Sequence, residues 1–260
     1  MIKFGRITSP IGNIIEEIKK TRKMGFDYIE ICIETPTDNN LLMKNKVKIK
    51  KHLKNFSYNP IGHTSWWYDL SSPYEVVRKS WIKQAKNDIT TAHALGIELL
   101  NFHFMVLSNL LLKYEKPRQV ILKNYIQSLK LLSDFAESKG VAIMLENGEE
   151  KFEHYRYVLD RVPEVKVHFD VGHAFISGKI KTIRKFTSYF EERIAHIHIH
   201  DNHGEKDDHL ALGKGKINWK QVVSLLKKVD YNKTITFEVF RSNSDLLKSM
   251  DYFKKLWYSA

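Results

Sequence analysis

Residues 120–146 read VILKNYIQSLKLLSDFAESKGVAIMLE, and the order of elements in this stretch recurs along the chain. Apolar side chains at helical spacing continue to Lys139, and Gly140 supplies the left-handed residue with which such a helix ends. The apolar run 141–145 then has the length of a buried strand, and the acidic residue Glu146 follows it directly. The stretch predicts a helix, a tight glycine turn and a strand that ends at a polar side chain.

Strand and helix patterns alternate in this way over the whole chain. We predict eight strands, at residues 2–7, 28–33, 56–62, 98–102, 141–145, 166–169, 195–199 and 234–239. Eight strand–helix units in about 250 residues fit a (β/α)8 barrel better than an open, doubly wound sheet, because no Gly-x-Gly-x-x-Gly motif follows the first strand. No linker or low-complexity stretch divides the chain, so we expect an α/β protein with one TIM barrel domain over residues 1–260.

The composition limits the partners of the chain. Its 260 residues include 42 Lys and Arg against 30 Asp and Glu, and the net charge of +12 makes phosphorylated molecules or nucleic acid candidate partners. The densest basic run, residues 44–54, has the pattern of a solvated helix face. No apolar run approaches the roughly 18 residues of a membrane span, so we expect a cytoplasmic protein without a membrane partner. The single cysteine, Cys32, excludes an internal disulfide and a multi-thiolate zinc site.

Side chains of the types that bind metal ions stand at the ends of six predicted strands. They are His63, His103, Glu146, Asp170, His198 and Glu238, and His173, Asp207 and His209 lie in the segments that follow. The carboxyl ends of the strands of a TIM barrel meet at one mouth, so we expect these side chains to converge there. Converging carboxylates repel one another unless a cation neutralises them, and carboxylates with imidazoles suit Zn²⁺, Mn²⁺ or Co²⁺. We therefore predict a divalent metal as cofactor.

Alternation along the strands predicts which side chains fill the barrel below this mouth. The inward layer beneath the candidate ligands is expected to contain Ile61, Asn101, Met144, His168, His196 and Thr236. The outward set, which faces the helices, is Phe102, Leu145, Phe169, Ile197 and Phe237. His168 and His196 would then lie just under the metal, either as groups that orient the ligating carboxylates or as hydrogen-bonded core residues.

Five segments, in this order, resemble one superfamily. They are Met144-Leu-Glu-Asn147, His168-Phe-Asp-Val-Gly-His173, His196-Ile-His-Ile-His-Asp201, Asp207-Asp-His-Leu-Ala-Leu-Gly-Lys-Gly215 and Thr236-Phe-Glu-Val239. The chain is similar to the xylose isomerase-like TIM barrels, which include sugar phosphate isomerases and epimerases as well as endonuclease IV. The similarity extends over most of the chain, and it is more specific for the superfamily than for one reaction.

The resemblance to the epimerases and isomerases implies one metal held by Glu146, Asp170, His198 and Glu238. It also implies proton transfer next to the carbonyl of a sugar or sugar phosphate, through a metal-stabilised ene-diolate. Glu146 and Glu238 would then be the catalytic acid and base on the two faces of the substrate carbon, unless both act only as ligands. His173 is a further candidate, as a hydrogen-bond partner of a substrate oxygen or as another ligand.

The resemblance to endonuclease IV implies a different chemistry on the same positions, namely a three-zinc phosphodiesterase that cleaves DNA at abasic sites. Its metal cluster uses nine residues, for which the candidates are His63, His103, Glu146, Asp170, His173, His198, Asp207, His209 and Glu238. The segments depart from the nuclease pattern, because Asn-Gly-Glu-Glu150 follows Glu146 and Val-Gly follows Asp170. Glu149 and Glu150 would also repel a DNA backbone. We therefore favour the carbohydrate enzyme over the nuclease, and over a barrel that binds metal or sugar without turnover.

Several residues near the predicted mouth are candidates for substrate binding. Trp66 and Trp67 follow the third strand, and their rings could stack on a sugar or on an unpaired base, or pack under a loop. Lys214 and Arg241 follow the seventh and eighth strands, where barrels often bind phosphate. His103 is a further candidate for substrate contact.

The last helix offers an apolar face that could form a homo-oligomer. Its side chains are Leu246, Leu247, Phe253, Leu256 and Trp257. They could equally pack against the barrel, and we favour that interpretation.

Overall fold

The structure is a computed structural model that describes residues 1–104 and 111–259. Within these residues, eight parallel strands pair in chain order and close into a barrel, with the last strand paired to the first. The strands are β1 Lys3–Ile7, β2 Tyr28–Ile33, β3 Ile61–Thr64, β4 Leu99–His103, β5 Ala142–Glu146, β6 Lys166–Asp170, β7 Ile194–Ile199 and β8 Thr234–Phe237. The predicted (β/α)8 barrel is confirmed.

Helices connect the strands along the outside of the barrel. In the described part of the chain they are α1 Ile14–Lys23, α2 Asn39–Lys44, α3 Lys46–Leu53, α4 Glu75–Leu95, α5 Glu115–Glu137, α6 Phe152–Leu159, α7 Val171–Tyr189, α8 Trp219–Lys228 and α9 Asn243–Ser259. Local sequence sets their ends: Asn13 caps α1 by accepting hydrogen bonds from the first turn, and Gly96 ends α4 at a φ of 80°. The basic run 44–54 covers the end of α2 and all of α3 rather than one helix.

The third strand begins later than predicted, at Ile61 instead of residue 56. Phe56 lies in the turn that follows α3, where its N–H donates a hydrogen bond of 3.1 Å to the carbonyl oxygen of Leu53. Pro60 then has no N–H to contribute to a strand ladder. The aromatic residues in 56–60 therefore led to the prediction of a strand. In the structure these residues form the turn between α3 and β3.

The barrel interior follows the predicted alternation. Ile61 and Met144 pack with Tyr28 inside the barrel, at the end away from the mouth. The outward set packs in the larger core between strands and helices and consists of Phe102, Leu145, Phe169, Ile197 and Phe237. Gly5 of β1 makes room for the Tyr28 ring, because a Cβ atom on Gly5 would lie 2.3 Å from it. Apolar packing therefore closes one end of the barrel and leaves the polar side chains to the other.

The last helix, α9, packs against the barrel. Leu246 and Phe253 are buried, and Leu247, Leu256 and Trp257 are partly buried against the same core. The packing interpretation of this face is confirmed, and association into a homo-oligomer stays a prediction. None of the helices in the described ranges is both long and apolar enough to cross a membrane.

Candidate metal centre

Glu146, the last residue of β5, lies at the barrel mouth with 1% of its surface exposed. Its Oε2 atom is 3.4 Å from His63 Nε2, 3.2 Å from His103 Nε2 and 3.4 Å from His168 Nδ1. The side-chain amide of Asn101 donates a hydrogen bond to the same oxygen. Strands β3, β4 and β6 thus each bring one imidazole to a single carboxylate.

His198 of β7 connects Glu146 to the rest of the predicted one-metal set. Its Nδ1 atom lies 3.2 Å from Glu238 Oε2, 3.7 Å from Glu146 Oε1 and 4.0 Å from Asp170 Oδ2. All four side chains are buried. Three carboxylates from separate strands therefore surround one imidazole nitrogen.

Asp207 forms a third group with two histidines. Its Oδ2 atom is 3.2 Å from His173 Nε2 and 2.8 Å from His209 Nε2. The group touches the other two, because His173 Nδ1 is 3.7 Å from Glu146 Oε1 and His209 Nδ1 is 3.6 Å from Glu238 Oε2. All nine of the donors predicted from the sequence therefore meet at one mouth.

The junction of β6 and α7 shows how local sequence builds the site. Asp170 caps α7 by accepting a hydrogen bond of 2.6 Å from the backbone N–H of His173, which sets His173 on the first helical turn. The side chain of Asn147 exchanges two hydrogen bonds of 2.9 Å with the backbone of Asp170. The ends of β5 and β6 are thereby locked together, with Glu146 and Asp170 facing the same space.

The donor set fits a divalent cation. Several buried donor atoms have no hydrogen-bond partner among the described residues: both ring nitrogens of His63, His168 and His200, Nδ1 of His103 and Oδ2 of Asp170. Two ligands about 2.0 Å from one tetrahedral ion lie about 3.3 Å apart. The nitrogen–oxygen separations of 3.2–3.4 Å around Glu146 match that spacing. Imidazole nitrogen and carboxylate oxygen are also the donor types that Zn²⁺ and Mn²⁺ accept.

Comparison with known families agrees with this arrangement. A family model described as xylose isomerase-like TIM barrel matches residues 18–256. The chain belongs to the xylose isomerase-like TIM barrel family. The resemblance stated from the five sequence segments is therefore confirmed.

Proteins whose names indicate two kinds of activity are similar to the chain. The L-ribulose 3-epimerase of Methylomonas sp. (strain DH-1) is 27% identical over 92% of this chain and 83% of its own length. The probable endonuclease 4 of Aquifex aeolicus (strain VF5) is 24% identical over 92% of this chain and 91% of its own length. Among solved structures, a D-tagatose 3-epimerase-like protein superimposes with a TM-score of 0.80 at 25% identity, over 99% of this chain and 97% of that one.

The second strand of this xylose isomerase-like barrel contributes a residue that was not predicted. Glu30 is fully buried, and its Oε2 atom accepts hydrogen bonds of 3.1 Å from His196 Nε2 and 2.9 Å from His198 Nε2. A signal was present, because Tyr28, Glu30 and Cys32 alternate with isoleucines and so share the inward face of β2. Glu30 fixes the orientation of His198 and leaves its Nδ1 atom directed at the carboxylates.

Charges within the site balance one another. Burial raises the pKa of Glu30, but the neighbouring His198 and His196 lower it well below its usual value. Burial lowers the pKa of His198, but the carboxylates of Glu30 and Glu238 raise it well above its usual value. Burial also raises the pKa of Glu238, and His198 and His209 bring it down to about 2. Without metal, His198 therefore holds a proton whose positive charge a bound cation would replace.

The mouth opens into a cavity of about 990 Å³. Its lining combines candidate ligands with predicted substrate-binding residues: His63, His103, Glu146, His173, Asp207, His209, Glu238, Trp66 and Arg241. Arg6 and Lys20 add basic groups to the same wall, and Glu149 and Glu150 add acidic ones. Trp67 instead lines a neighbouring cavity of about 350 Å³, and Lys214 lines neither.

Proposed function

We propose that this chain is a metal-dependent isomerase or epimerase that acts on a sugar or sugar phosphate by proton transfer next to a carbonyl. The observation that carries the proposal is the placement of Glu146 and Glu238 on well-separated strands. Their carboxylates lie 3.7 and 3.2 Å from the same atom, His198 Nδ1, and both line one cavity. Similarity to an L-ribulose 3-epimerase and to a D-tagatose 3-epimerase-like protein supports the same chemistry.

The residues that would hold the cation are Glu146, Asp170, His198 and Glu238. A divalent cation held by them would supply Lewis-acid chemistry, because it would polarise a carbonyl and its neighbouring hydroxyl and so make the adjacent C–H group more acidic. One of the two glutamates accepts the proton from that carbon, and the other, in its protonated form, delivers a proton to the opposite face. One proton leaves the substrate and one is returned to it, so the stereocentre is inverted or relocated without a net change in the number of protons.

The cavity wall accommodates the rest of such a substrate. Trp66 is half exposed, and its indole face can stack on the C–H surface of a sugar. Arg241 follows β8, where TIM barrels often bind phosphate, and its guanidinium can bind phosphate oxygens in pairs. The acidic residues Glu149 and Glu150 on the same wall oppose a DNA backbone.

The test is solvent exchange at the substrate carbon. The metal-loaded protein is incubated in D₂O with a panel of ketoses, aldoses and their phosphates, and deuterium next to the carbonyl is measured by NMR. We expect incorporation into at least one sugar, and its loss in Glu146→Gln and Glu238→Gln. The matched control is Glu153→Gln, which removes a surface carboxylate paired with Lys185 on the outside of the barrel. Absence of deuterium from every sugar, with metal bound, would contradict the proposal.

A second candidate function is favoured by one observation, the convergence of all nine donors of a three-metal cluster, together with similarity to a probable endonuclease 4. Under this alternative the protein incises DNA at abasic sites. An abasic duplex treated with the metal-loaded protein distinguishes the two. Incision without deuterium exchange into any sugar would replace the carbohydrate function with the nuclease.

A further inference from the structure

Residues 200–218, all of which the structure describes, connect β7 to α8 without a helix or a strand. This connection, which we name the β7–α8 segment, carries Asp207 and His209 to the wall of the large cavity. A connection of this length without regular structure is uncommon in a compact domain, and ordering its backbone costs conformational entropy. Specific contacts must therefore hold the segment in one shape.

Asp201, near the start of the β7–α8 segment, makes four such contacts with its side chain. Its Oδ1 atom accepts hydrogen bonds of 2.9 Å from the backbone N–H of Asn202 and 3.2 Å from that of Ile217. Its Oδ2 atom accepts bonds of 2.8 Å from the backbone N–H of Gly213 and 3.0 Å from the indole Nε1–H of Trp219. The side chain is fully buried. One carboxylate thus joins the two ends of the segment, and hydrogen bonds to a carboxylate are among the strong ones.

The backbone of Asp201 closes the part of the segment that contains the two donors. Its N–H donates a hydrogen bond of 2.9 Å to the carbonyl oxygen of Leu210, and the N–H of Leu210 donates one of 2.8 Å to the carbonyl oxygen of Asp201. The pair closes a loop over residues 202–209, which contains Asp207 and ends at His209. His209 has a φ of 44°, a left-handed conformation that is unfavourable for a residue with a Cβ atom. The closure next to His209 holds it in this conformation.

Gly215 allows the backbone to approach the carboxylate. A Cβ atom on Gly215 would lie 2.3 Å from Asp201 Oδ1 and 2.3 Å from the carbonyl oxygen of Asn202. That carbonyl oxygen accepts a hydrogen bond of 2.8 Å from the backbone N–H of Lys216. The chain around position 215 therefore wraps directly around Asp201, and a side chain at this position would push the two apart.

We propose that Asp201 is a positioning residue, whose carboxylate shapes the β7–α8 segment so that Asp207 and His209 stand at the cavity wall. Asp201 is not one of the described residues that line the cavity, so it acts on the site through the segment and does not touch substrate. The effect on activity rests on the proposed function or on its nuclease alternative. The effect on the segment does not, because it is measured without substrate.

The first experiment compares Asp201→Asn with wild type. The amide keeps one accepting oxygen and replaces the other by an NH₂ group, which cannot accept a hydrogen bond. The rate at saturating substrate is measured for whichever activity the metal-loaded wild type shows, deuterium exchange or incision, at a temperature where circular dichroism shows the variant to be folded. We expect this rate to fall about 100-fold, the effect of a misplacement of about 1 Å.

The matched control is Asp208→Asn, which changes a carboxylate of the same segment that accepts one bond of 3.3 Å from the backbone N–H of His203. We expect its rate to equal that of wild type. A role of Asp201 in stability alone would lower the midpoint of urea unfolding and leave the rate of the folded variant unchanged. That result would overturn the proposal.

The indole N–H of Trp219 reports the contact to Asp201 without substrate. Its exchange with solvent deuterium is followed by NMR of the ¹⁵N-labelled protein, with the indole of Trp257 on α9 as internal reference. We expect exchange at Trp219 to be at least about tenfold faster in Asp201→Asn than in wild type, because the indole loses its acceptor. Equal exchange rates at Trp219 in the two proteins would contradict the proposal.

A second variant applies if Asp201→Asn does not fold. Gly215→Ala keeps the carboxylate but displaces it, so it should also lower the rate and speed exchange at Trp219. Wild-type values of both in Gly215→Ala would overturn the proposal. If the wild type acts on neither sugars nor abasic DNA, the proposed functions fail, and crystal structures of wild type and the folded variant decide this inference separately. An unchanged position of the Asp207 carboxylate would then overturn it.

Discussion

Two sets of buried histidines occupy the same barrel mouth, and they differ in their partners. His196 and His198 have both ring nitrogens hydrogen-bonded: they share Glu30, and their other nitrogens bond to Thr234 Oγ1 at 2.8 Å and to Glu238 Oε2 at 3.2 Å. His63, His168 and His200 have no hydrogen bond at either nitrogen among the described residues.

The difference separates two roles. Histidines of the first set are held in place by carboxylate and hydroxyl groups before any ligand arrives. Those of the second set face carboxylates at 3.3–3.5 Å, a separation suited to ligands of a common ion. The first set is therefore held in position by hydrogen bonds within the protein. The second set has ring nitrogens whose missing partner a bound cation would supply.

The largest effect is expected at Glu146, whose Oε2 atom lies 3.4 Å from His63 and 3.4 Å from His168 of the second set. Glu146→Gln removes a negative ligand and a candidate base while keeping the side-chain volume. We expect deuterium exchange into the substrate to fall about 10²–10⁴-fold, the range for loss of a positioned acid or base. Single-turnover exchange measured by NMR gives the rate, with Glu153→Gln as control. An unchanged rate in Glu146→Gln would remove this residue from the mechanism.

A smaller effect is expected at Glu30, which holds the first set. In Glu30→Gln one side-chain oxygen remains to accept hydrogen bonds from His196 and His198, but the negative charge that holds both imidazoles is lost. We expect metal affinity to fall about 10–100-fold, as for other groups that orient a ligating histidine. Isothermal titration calorimetry measures the affinity, and Glu34→Gln, further along the same segment, is the matched control. Equal affinities of Glu30→Gln and wild type would show that the first set does not support the metal.

The next effect is a pH dependence of metal affinity, because protons and the metal compete for the same histidine nitrogens. Burial lowers the pKa of His209, but Glu238 and Asp207 raise it to about 9, whereas burial lowers the pKa of His103 to about 4. In the metal-free protein His209 therefore holds a proton at neutral pH that metal must displace, and His103 does not. We expect metal affinity to rise about tenfold per pH unit for each displaced proton, up to about pH 9. His209→Asn should reduce the slope of the profile by the contribution of one proton, because His198 still has a proton to displace, and a flat wild-type profile would contradict the charge assignment.

The smallest effect concerns the two tryptophans after β3. Trp66 lines the large cavity and Trp67 lines its neighbour, so only Trp66→Leu should weaken substrate binding. Loss of one aromatic contact of about 0.5–1.5 kcal/mol predicts a rise in KM of roughly twofold to tenfold. Trp67→Leu serves as the control, and a larger rise there would reverse the assignment.

Much of the fold and most of the donors could be predicted from the sequence, because a TIM barrel gathers the carboxyl ends of its strands at one mouth. Glu146 and Asp170 were found in this way. Glu30 was missed because it lies in the middle of β2, where only the inward alternation reveals it. The positions of Trp67 and Lys214 relative to the cavity depend on the paths of loops, which periodicity does not determine.

The most direct test of the central claim is a crystal structure of the protein soaked with Mn²⁺ or Zn²⁺, with anomalous diffraction measured at the metal's absorption edge. We predict an anomalous peak enclosed by Glu146, Asp170, His198 and Glu238, within ligand distance of all four side chains. A well-ordered mouth without a peak among these side chains, at saturating metal, would contradict the account.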